Sequence, residues 1–275
     1  MAYGLTRDQV RNTNRPAPLT THWGSVTSLT DVLEYSMYRV DIMAGAAQPL
    51  HFFSSEYHAF VESGELAVRY VDSAGRSKDG TIGVGEVLAL PRNHVHGFAS
   101  RTDAVMYLFG PRNKDGLHPY QVETEEASTA AFRTLDWDDL KPRGKATTDV
   151  RQKYWGRIET ILSDDVAAKR IFVEKGGQSS LEYHVEKRES YYIHSGLLKV
   201  GLRIGRAENY SIVMTAGDSY DVRPGVMHMR MGLEDTVIIE VSTRDNDADS
   251  YLVEDGQSYI HIDSNPNSQE QEQSA

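Results

Sequence analysis

The sequence predicts an all-β protein in which one β-domain occurs twice. Short runs rich in β-branched and aromatic residues recur along the chain, and clusters of Gly, Asp, Asn and Pro separate them. Three landmarks repeat with the same offset of 132 positions: Gly64 and Gly196, Gly85 and Gly217, and His96 and His228. Three identical offsets rarely arise by chance, so we expect a duplicated domain.

The clearest strand candidates lie in both halves and alternate apolar with polar residues. They span residues 34–43, 66–72, 197–204, 210–214 and 236–243. The stretch between the halves is polar and partly helix-compatible, which is typical of a connector. The predicted parts are an N-terminal arm (1–25), an N-terminal domain (26–120), the connector (121–155), a C-terminal domain (156–262) and a disordered tail (263–275).

Composition excludes several classes of function. The balance of 29 basic against 40 acidic residues gives a net charge of −11, which argues against nucleic acid or an anionic membrane as partner. The chain has no cysteine, so thiolate metal sites and thiol nucleophiles are excluded. With neither an apolar signal segment nor a membrane span in the sequence, we expect a cytoplasmic protein with a small-molecule substrate; monomer and homodimer are both open.

The stretch SSLEYHVEKRESYYIHSG, residues 179–196, combines three metal-ligating side chains. The two-residue period of a strand puts Glu182 and His184 on one face, and a bend before the next strand lets Glu189 join them. If that face points into a barrel, an unpaired carboxylate would be costly. The stretch therefore indicates either a buried metal site or, more simply, a solvated strand edge.

These residues resemble the two sequence motifs of the cupins. The first motif, G-x5-H-x-H-x3/4-E-x6-G, is matched by E-x-H-x4-E-x6-G, which ends at Gly196 and has Glu in the first histidine slot. The second, G-x5-P-x-G-x2-H, is matched by G-x6-P-G-x2-H over residues 217–228, with altered spacing around the proline. The resemblance implies two tandem double-stranded β-helix (jelly-roll) domains, a bicupin, over roughly 30–110 and 157–255. The second stretch is the more specific.

The resemblance also implies a ligand set. Glu182, His184, Glu189 and His228 would hold one divalent ion per chain, Mn, Fe or Zn, in the C-terminal domain. The alternative is a polar patch in a cupin that has lost its metal. Arg230 shares the inward face of His228 in a regular strand, and Glu240 lies in the strand-like TVIIEVST, so both are candidate catalytic residues.

The N-terminal half keeps fewer candidate ligands, and three registers are open. The 132 offset places Leu50, Phe52, Tyr57 and His96 in the four slots. A slip of one residue gives His51, Glu56 and His96, a two-histidine, one-carboxylate set that suits Fe(II) and needs a β-bulge. A third register puts His51 in the first slot and Phe53 in place of the second histidine. We expect this half to be mainly structural, with Phe52 and Phe53 filling the space of the ligands.

The C-terminal half also resembles the cupin module of type II mannose-6-phosphate isomerases. The matching segments are SLEYH (180–184), PGVMH (224–228) and EDTVIIEV (234–241). This resemblance favours a metal-dependent isomerase or epimerase acting on a small polar, sugar-like substrate. A mononuclear non-haem iron oxygenase is the first alternative, and a non-catalytic ligand-binding cupin is the second. Glu182 in a histidine slot adds negative charge at the metal, which favours Lewis-acid chemistry over oxygen activation.

Overall fold

The computed structural model describes residues 12–71, 74–112, 120–122, 125–258 and 261. The chain divides into two compact units, one of residues 16–148 and one that joins residues 12–15 to the chain from residue 149 onward. Both units are almost entirely antiparallel β-structure, which confirms the predicted fold class. The expected disordered tail, residues 263–275, lies outside the described residues.

The N-terminal unit contains two sheets. Its strands are β1 (Leu19–Thr20), β2 (Gly24–Asp31), β3 (Ser36–Ile42), β4 (His51–Phe52), β5 (Tyr57–Ser63), β6 (Leu66–Val71), β7 (Ser77–Ile82), β8 (Glu86–Leu90), β9 (His96–Ser100), β10 (Ala104–Gly110), β11 (Tyr120–Gln121) and β12 (Lys145–Ala146). One sheet has the order β1-β2-β3-β10-β5-β8-β12 and the other β11-β4-β9-β6-β7. The helix α1 (Glu125–Arg133) and a 3-10 turn (Trp137–Asp139) follow β11.

The C-terminal unit repeats this arrangement. Its strands are β13 (Val150–Lys153), β14 (Gly156–Ser163), β15 (Val166–Val173), β16 (Leu181–Tyr183), β17 (Glu189–Ser195), β18 (Leu197–Ile204), β19 (Tyr210–Thr215), β20 (Ser219–Val222), β21 (Val226–Gly232), β22 (Thr236–Thr243) and β23 (Tyr251–Glu254). The sheet orders are β13-β14-β15-β22-β17-β20 and β19-β18-β21-β16-β23. A second 3-10 turn, Asp247–Asp249, precedes β23.

Each unit buries an apolar core between its two sheets. In the N-terminal unit Val61 of one sheet packs in the same cluster as Val68 and Phe98 of the other. In the C-terminal unit Ile193 and Val200 play the same part. Each of the five strand candidates named from the sequence contains a strand of the structure. Two antiparallel sheets closed over one core form the predicted jelly roll. Among the described residues, no helix has the length and apolarity to cross a bilayer.

Strand pairing shows how the two halves correspond. Tyr57 pairs with Leu90 as Glu189 pairs with Val222, and His51 pairs with His96 as Glu182 pairs with His228. The offset is therefore 132 for most positions but 131 for the strand that carries His51. One residue fewer separates β4 from β5 than separates β16 from β17. This pairing matches the third register, with Phe53 at the position of His184.

Candidate metal centre

The four predicted ligands converge inside the C-terminal barrel. Glu182 on β16 lies directly opposite His228 on β21, and His184 follows β16 immediately. Donor atoms of these three residues lie within 4.8 Å of one another. Glu189, the first residue of β17, places its two carboxylate oxygens 3.3 Å from His184 Nε2 and 3.3 Å from His228 Nε2. His228 and Glu189 are almost fully buried, so the group is enclosed by the barrel.

Both histidines present a lone pair to this centre. His184 Nδ1 donates to the backbone oxygen of Asp249 at 2.9 Å, and His228 Nδ1 donates to that of Val226 at 3.1 Å. A carbonyl oxygen can only accept, so the proton of each neutral ring sits on Nδ1 and Nε2 carries the lone pair. His228 Nε2 is buried without a hydrogen-bond partner among the described residues. The two Nε2 atoms and the Glu189 carboxylate are then facing acceptors, which need a cation between them.

The spacing of the donors suits one divalent ion. Two ligands of one metal, each about 2.0–2.3 Å from it, are separated by about 3 to 4 Å in tetrahedral or octahedral geometry. The two 3.3 Å separations around Glu189 fall in this range. Two imidazoles with two carboxylates suit Mn, Fe or Zn. The residues present therefore fit the metal that the sequence motifs imply.

Without an ion, protons and side-chain cations stabilise the carboxylates. Burial alone lowers the pKa of His184, but its hydrogen bond to Glu189 and the charge of Glu189 outweigh burial and raise it. Burial alone raises the pKa of Glu189, but the Lys187 ammonium and the two histidines hold it well below the ordinary value. Glu189 therefore remains ionised and continues to attract positive charge.

A charged cleft of about 210 Å³ opens beside these residues. Five of its buried or half-buried side chains form a network of alternating sign: Lys169, Lys187, Arg230, Glu240 and Asp245. Lys187 Nζ lies 2.6 Å from Glu189 Oε1 and 3.0 Å from Asp245 Oδ1. The cleft thus holds both the candidate ligands and a set of cations within reach of them.

Arg230 and Glu240, the predicted catalytic residues, both line this cleft. The Arg230 guanidinium lies 3.0 Å from Glu182 Oε1 and 3.6 Å from Glu240 Oε2, and its Nε is buried without a hydrogen-bond partner in the described part of the chain. Glu240 Oε1 lies 3.4 Å from Lys187 Nζ and 3.7 Å from Lys169 Nζ. The rings of Trp155 and Tyr191 flank the guanidinium, with centroids 5.5 and 5.7 Å from its central carbon. Arg230 therefore keeps a donor available for an anionic oxygen.

Sequence reasoning missed three residues of the network. Lys187 lies in the run EKRE, whose four charged residues indicate a solvated turn, yet Lys187 is only 5% exposed. Lys169 sits on β15 and Asp245 follows β22, far from the motif in sequence. Burial raises the pKa of Asp245, but the neighbouring Lys169 and Lys187 outweigh it and lower the pKa to about 2. The two-residue spacing from Lys187 to Glu189 was the one local sign that both face inward.

The less favoured N-terminal set is not brought together. His51 and His96 are adjacent, with ring centroids 4.6 Å apart. The Glu56 side chain is 57% exposed, and its carboxylate lies 3.7 Å from His58 Nε2. Tyr57, the next residue, occupies the inward position instead, because alternation along the strand turns Glu56 outward. The expected iron-type triad of His51, Glu56 and His96 therefore does not form.

Aromatic side chains fill the interior of the N-terminal barrel. Phe53 packs against His51, Tyr57 and His96, with centroid distances of 5.4, 4.6 and 5.5 Å. Phe52, which was expected to share this role, is only half-buried. Burial lowers the pKa of His51 to about 4 and that of His96 well below its usual value. Both rings are therefore neutral parts of a packed core.

The chain is similar to known proteins in family and in fold. Residues 7–141 match the family model described as Cupin. No curated protein is similar enough in sequence to be matched. Among solved structures, the formate complex of Lactobacillus farciminis oxalate decarboxylase is 15% identical, with 87% of this chain and 86% of that chain covered and a TM-score of 0.66.

Structures of Bacillus subtilis oxalate decarboxylase are comparably similar. One mutant is 16% identical over 84% of this chain and 76% of that chain, with a TM-score of 0.67. Another structure, used to study the Mn(II) centres of that enzyme, is 15% identical over 94% of this chain and 81% of that chain, with a TM-score of 0.66. At these identities the likeness shows a shared fold.

Proposed function

We propose, for this member of the cupin superfamily, a metal-dependent enzyme that isomerises or epimerises a small, polar, sugar-like substrate in its C-terminal barrel. The observation that carries the proposal is the Glu189 carboxylate, which lies 3.3 Å from the Nε2 atoms of His184 and His228. Three acceptors face one point beside a polar cleft, and charged side chains line that cleft. This arrangement supports a metal-assisted reaction of a hydroxylated molecule.

Glu182, His184, Glu189 and His228 would hold the ion. When bound, it would supply Lewis-acid polarisation of adjacent substrate oxygens. Manganese is a reasonable first choice to test, because the Bacillus subtilis oxalate decarboxylase of similar fold is described with Mn(II) centres. Two carboxylate ligands balance the charge of a divalent ion, so any positive charge left for the substrate comes from nearby side chains. Arg230 and Lys187 provide those cations.

Glu240 is the residue proposed to move the proton. It lies in the cleft, almost fully buried, and its contacts with Lys187, Lys169 and Arg230 are 3.4 to 3.7 Å long. Its carboxylate would accept the proton from the carbon beside the substrate carbonyl. In isomerisation this proton would return to the neighbouring carbon, and in epimerisation a proton would be added to the opposite face. The reaction then balances without an oxidant or a reductant.

Arg230 and Lys187 are proposed to stabilise the oxygen that becomes negative during this transfer. Arg230 has a buried Nε without a partner among the described residues, so an N–H remains available in the cleft. A preorganised cation at a developing oxyanion contributes more in a dry site than in water. The oxygenase alternative depended on His51, Glu56 and His96, which the fold keeps apart. We therefore favour proton transfer over oxygen activation.

The experiment starts from protein purified without chelators, in which bound metal is measured. The Mn²⁺-loaded protein is then incubated in D2O with a panel of aldoses, ketoses, sugar acids and sugar phosphates, and NMR follows deuterium at carbon. We expect isomer formation or carbon-bound deuterium with at least one substrate. Glu240→Gln should abolish both and keep the metal, whereas the exposed Glu234→Gln should resemble the unchanged protein.

Each alternative outcome contradicts the proposal in a recognisable way. Oxygen uptake with product formation, and no deuterium in any substrate, would indicate an oxygenase. Tight binding of a sugar without turnover would indicate a binding protein. Protein that retains no divalent metal, and that binds none when it is added, would remove the metal centre itself.

A further inference from the structure

We propose that Asp249 is a positioning residue that fixes the segment 184–187 and thereby aims His184 Nε2 at the metal centre. The inference deepens the proposed function and rests on its metal site. Asp249 touches neither the proposed substrate nor the ion, so its effect would pass through the backbone and His184. No ligand motif includes it, since it lies more than sixty positions after that segment.

One side chain holds three consecutive backbone N–H groups. Val185 N donates to Asp249 Oδ1 at 2.9 Å, and Lys187 N donates to Oδ2 at 2.8 Å. Between them, Glu186 N donates to Oδ2 at 3.0 Å and lies 3.3 Å from Oδ1. Charge-assisted hydrogen bonds of this kind are shorter and stronger than neutral ones.

The same residue also fixes the histidine ring. The backbone oxygen of Asp249 accepts from His184 Nδ1 at 2.9 Å, which leaves Nε2 as the metal-facing lone pair. Side chain and backbone therefore act together on both ends of the segment. Lys187, whose ammonium enters the cleft, is held in place by the N–H of its own residue.

The segment needs such an anchor because it lies between strands. Residues 184–188 separate β16 from β17, and the strand ladders on either side end before they reach it. Buried N–H groups without a ladder partner require another acceptor. Asp249 is itself buried, at 7% exposure, so water is largely excluded from this contact.

The anchor sits on a compact turn whose neighbours also reach the centre. Asn246 caps the turn, with its side chain accepting from Ala248 N at 3.0 Å. Asp245 Oδ1 accepts from Lys169 at 2.8 Å, and Ser250 Oγ donates to Glu182 Oε2 at 2.8 Å. Asp249 is therefore the central contact of a strap, residues 245–250, that borders the site.

The test compares Asp249→Asn with Asp247→Asn, the same substitution two positions earlier in the turn. The amide introduced by Asp249→Asn turns an N–H2 group toward backbone donors, whereas the Asp247 carboxylate is 95% exposed and lies 3.9 Å from Arg151. Co²⁺ serves as the probe, because its visible spectrum reports coordination geometry and titration gives its affinity. We expect Asp249→Asn to bind Co²⁺ about 10- to 100-fold more weakly with an altered spectrum, and Asp247→Asn to match the unchanged protein.

A second readout does not depend on metal. Hydrogen exchange of the amides of residues 185–187, and the ¹⁵N shifts of the His184 ring, are measured in metal-free protein. Asp249→Asn should speed exchange at these amides and mix the His184 tautomers while circular dichroism stays that of a folded β-protein. If Asp249→Asn does not fold, Asp249→Ser, which keeps one acceptor without the opposed donors, is measured in the same way.

The outcomes separate this inference from the proposed function. Unchanged protein that binds no Co²⁺ would contradict the metal site, and the exchange and tautomer data would still decide whether Asp249 positions the segment. Exchange rates and tautomer that stay unchanged in Asp249→Asn would overturn the positioning role. So would Co²⁺ affinity within twofold of the unchanged protein.

Discussion

The two barrels use the same strand register at their centres and fill it with different chemistry. The corresponding pairs are His51 and Glu182, Phe53 and His184, Tyr57 and Glu189, and His96 and His228. Only the last histidine is shared. One barrel therefore keeps an aromatic interior, while the other keeps two carboxylates and two imidazoles.

The difference shows what a buried charge requires. Tyr57 satisfies its hydroxyl with Ser36 Oγ at 2.9 Å and the backbone oxygen of Pro111 at 3.1 Å, and the apolar Phe53 ring requires no hydrogen bond. Glu189, at the position of Tyr57, needs Lys187, Tyr191 and the histidines around it. Replacing a buried ionic group by well-packed apolar residues is often neutral or stabilising. The charged interior of the C-terminal barrel is therefore better explained by function than by stability.

The largest effect should come from the one histidine that the barrels share. His228→Ala removes a ligand and leaves two carboxylates whose repulsion is less well offset. We expect loss of bound metal and of turnover, with β-type circular dichroism retained. His96→Ala, the matched change in the N-terminal barrel, should lower the melting temperature and leave metal content and turnover unchanged.

Metal stoichiometry could break this comparison. The aromatic N-terminal interior leads us to expect one equivalent of metal per chain. Two equivalents in the unchanged protein, with one lost in His51→Ala, would give the N-terminal barrel a site of its own. Full turnover in His228→Ala would remove the C-terminal centre from the mechanism.

Much of this arrangement could be predicted from the sequence, for physical reasons. Alternation identifies strands, because successive side chains point to opposite faces. Glycine and histidine landmarks repeat at a fixed offset, so the duplication was visible. The inward direction of Glu182 and His184 followed from the same alternation.

The rest depends on contacts that a linear pattern does not contain. The register of the N-terminal half changed with a single residue between Phe53 and Tyr57, and three alignments remained open until pairing decided among them. Lys187 looked solvated because its neighbours are charged, and its burial follows from Asp249 and Asp245, which are distant in sequence. Long-range pairing thus determined which charged residues are buried.

The next effect in size concerns the cation that the N-terminal barrel does without. Lys187→Met leaves Glu189, Glu240 and Asp245 with less positive charge, and breaking one partner out of a buried ionic network costs about 3–5 kcal/mol. We expect this loss in the free energy of unfolding of metal-free protein, measured by urea denaturation. Added Mn²⁺ should recover part of it, because an ion bound only by the folded state stabilises that state.

The matched change in the other barrel is Tyr57→Phe. It removes one hydroxyl hydrogen bond at the position of Glu189, which is worth about 0.5–1.5 kcal/mol. Mn²⁺ should have no effect on the size of this loss. If Lys187→Met proved no more destabilising than Tyr57→Phe, the C-terminal charges would not form an interdependent network.

The smallest effect is a difference in how the two barrels respond to pH. Burial lowers the pKa of His51 to about 4, whereas Glu189 outweighs burial and raises the pKa of His184 in metal-free protein. His51 therefore contributes stability above its unfolded pKa of about 6.5 and loses it as the pH falls toward 4, because the unfolded chain binds the proton first. The loss is about 3 kcal/mol at most, since a tenfold difference in proton affinity corresponds to about 1.4 kcal/mol.

His184 has the opposite sign, because its contribution is complete below a pH of about 6.5 and is lost as the pH rises through its folded pKa. We measure the free energy of unfolding in urea, without metal, from about pH 4 to pH 8. In His51→Leu it should fall less steeply with acid than in unchanged protein, because the group that resists protonation is gone. In His184→Leu the fall should become steeper at the upper end of this range, since acid no longer adds the His184–Glu189 attraction. Parallel slopes in all three proteins would mean that neither histidine is held in the protonation state that its barrel dictates.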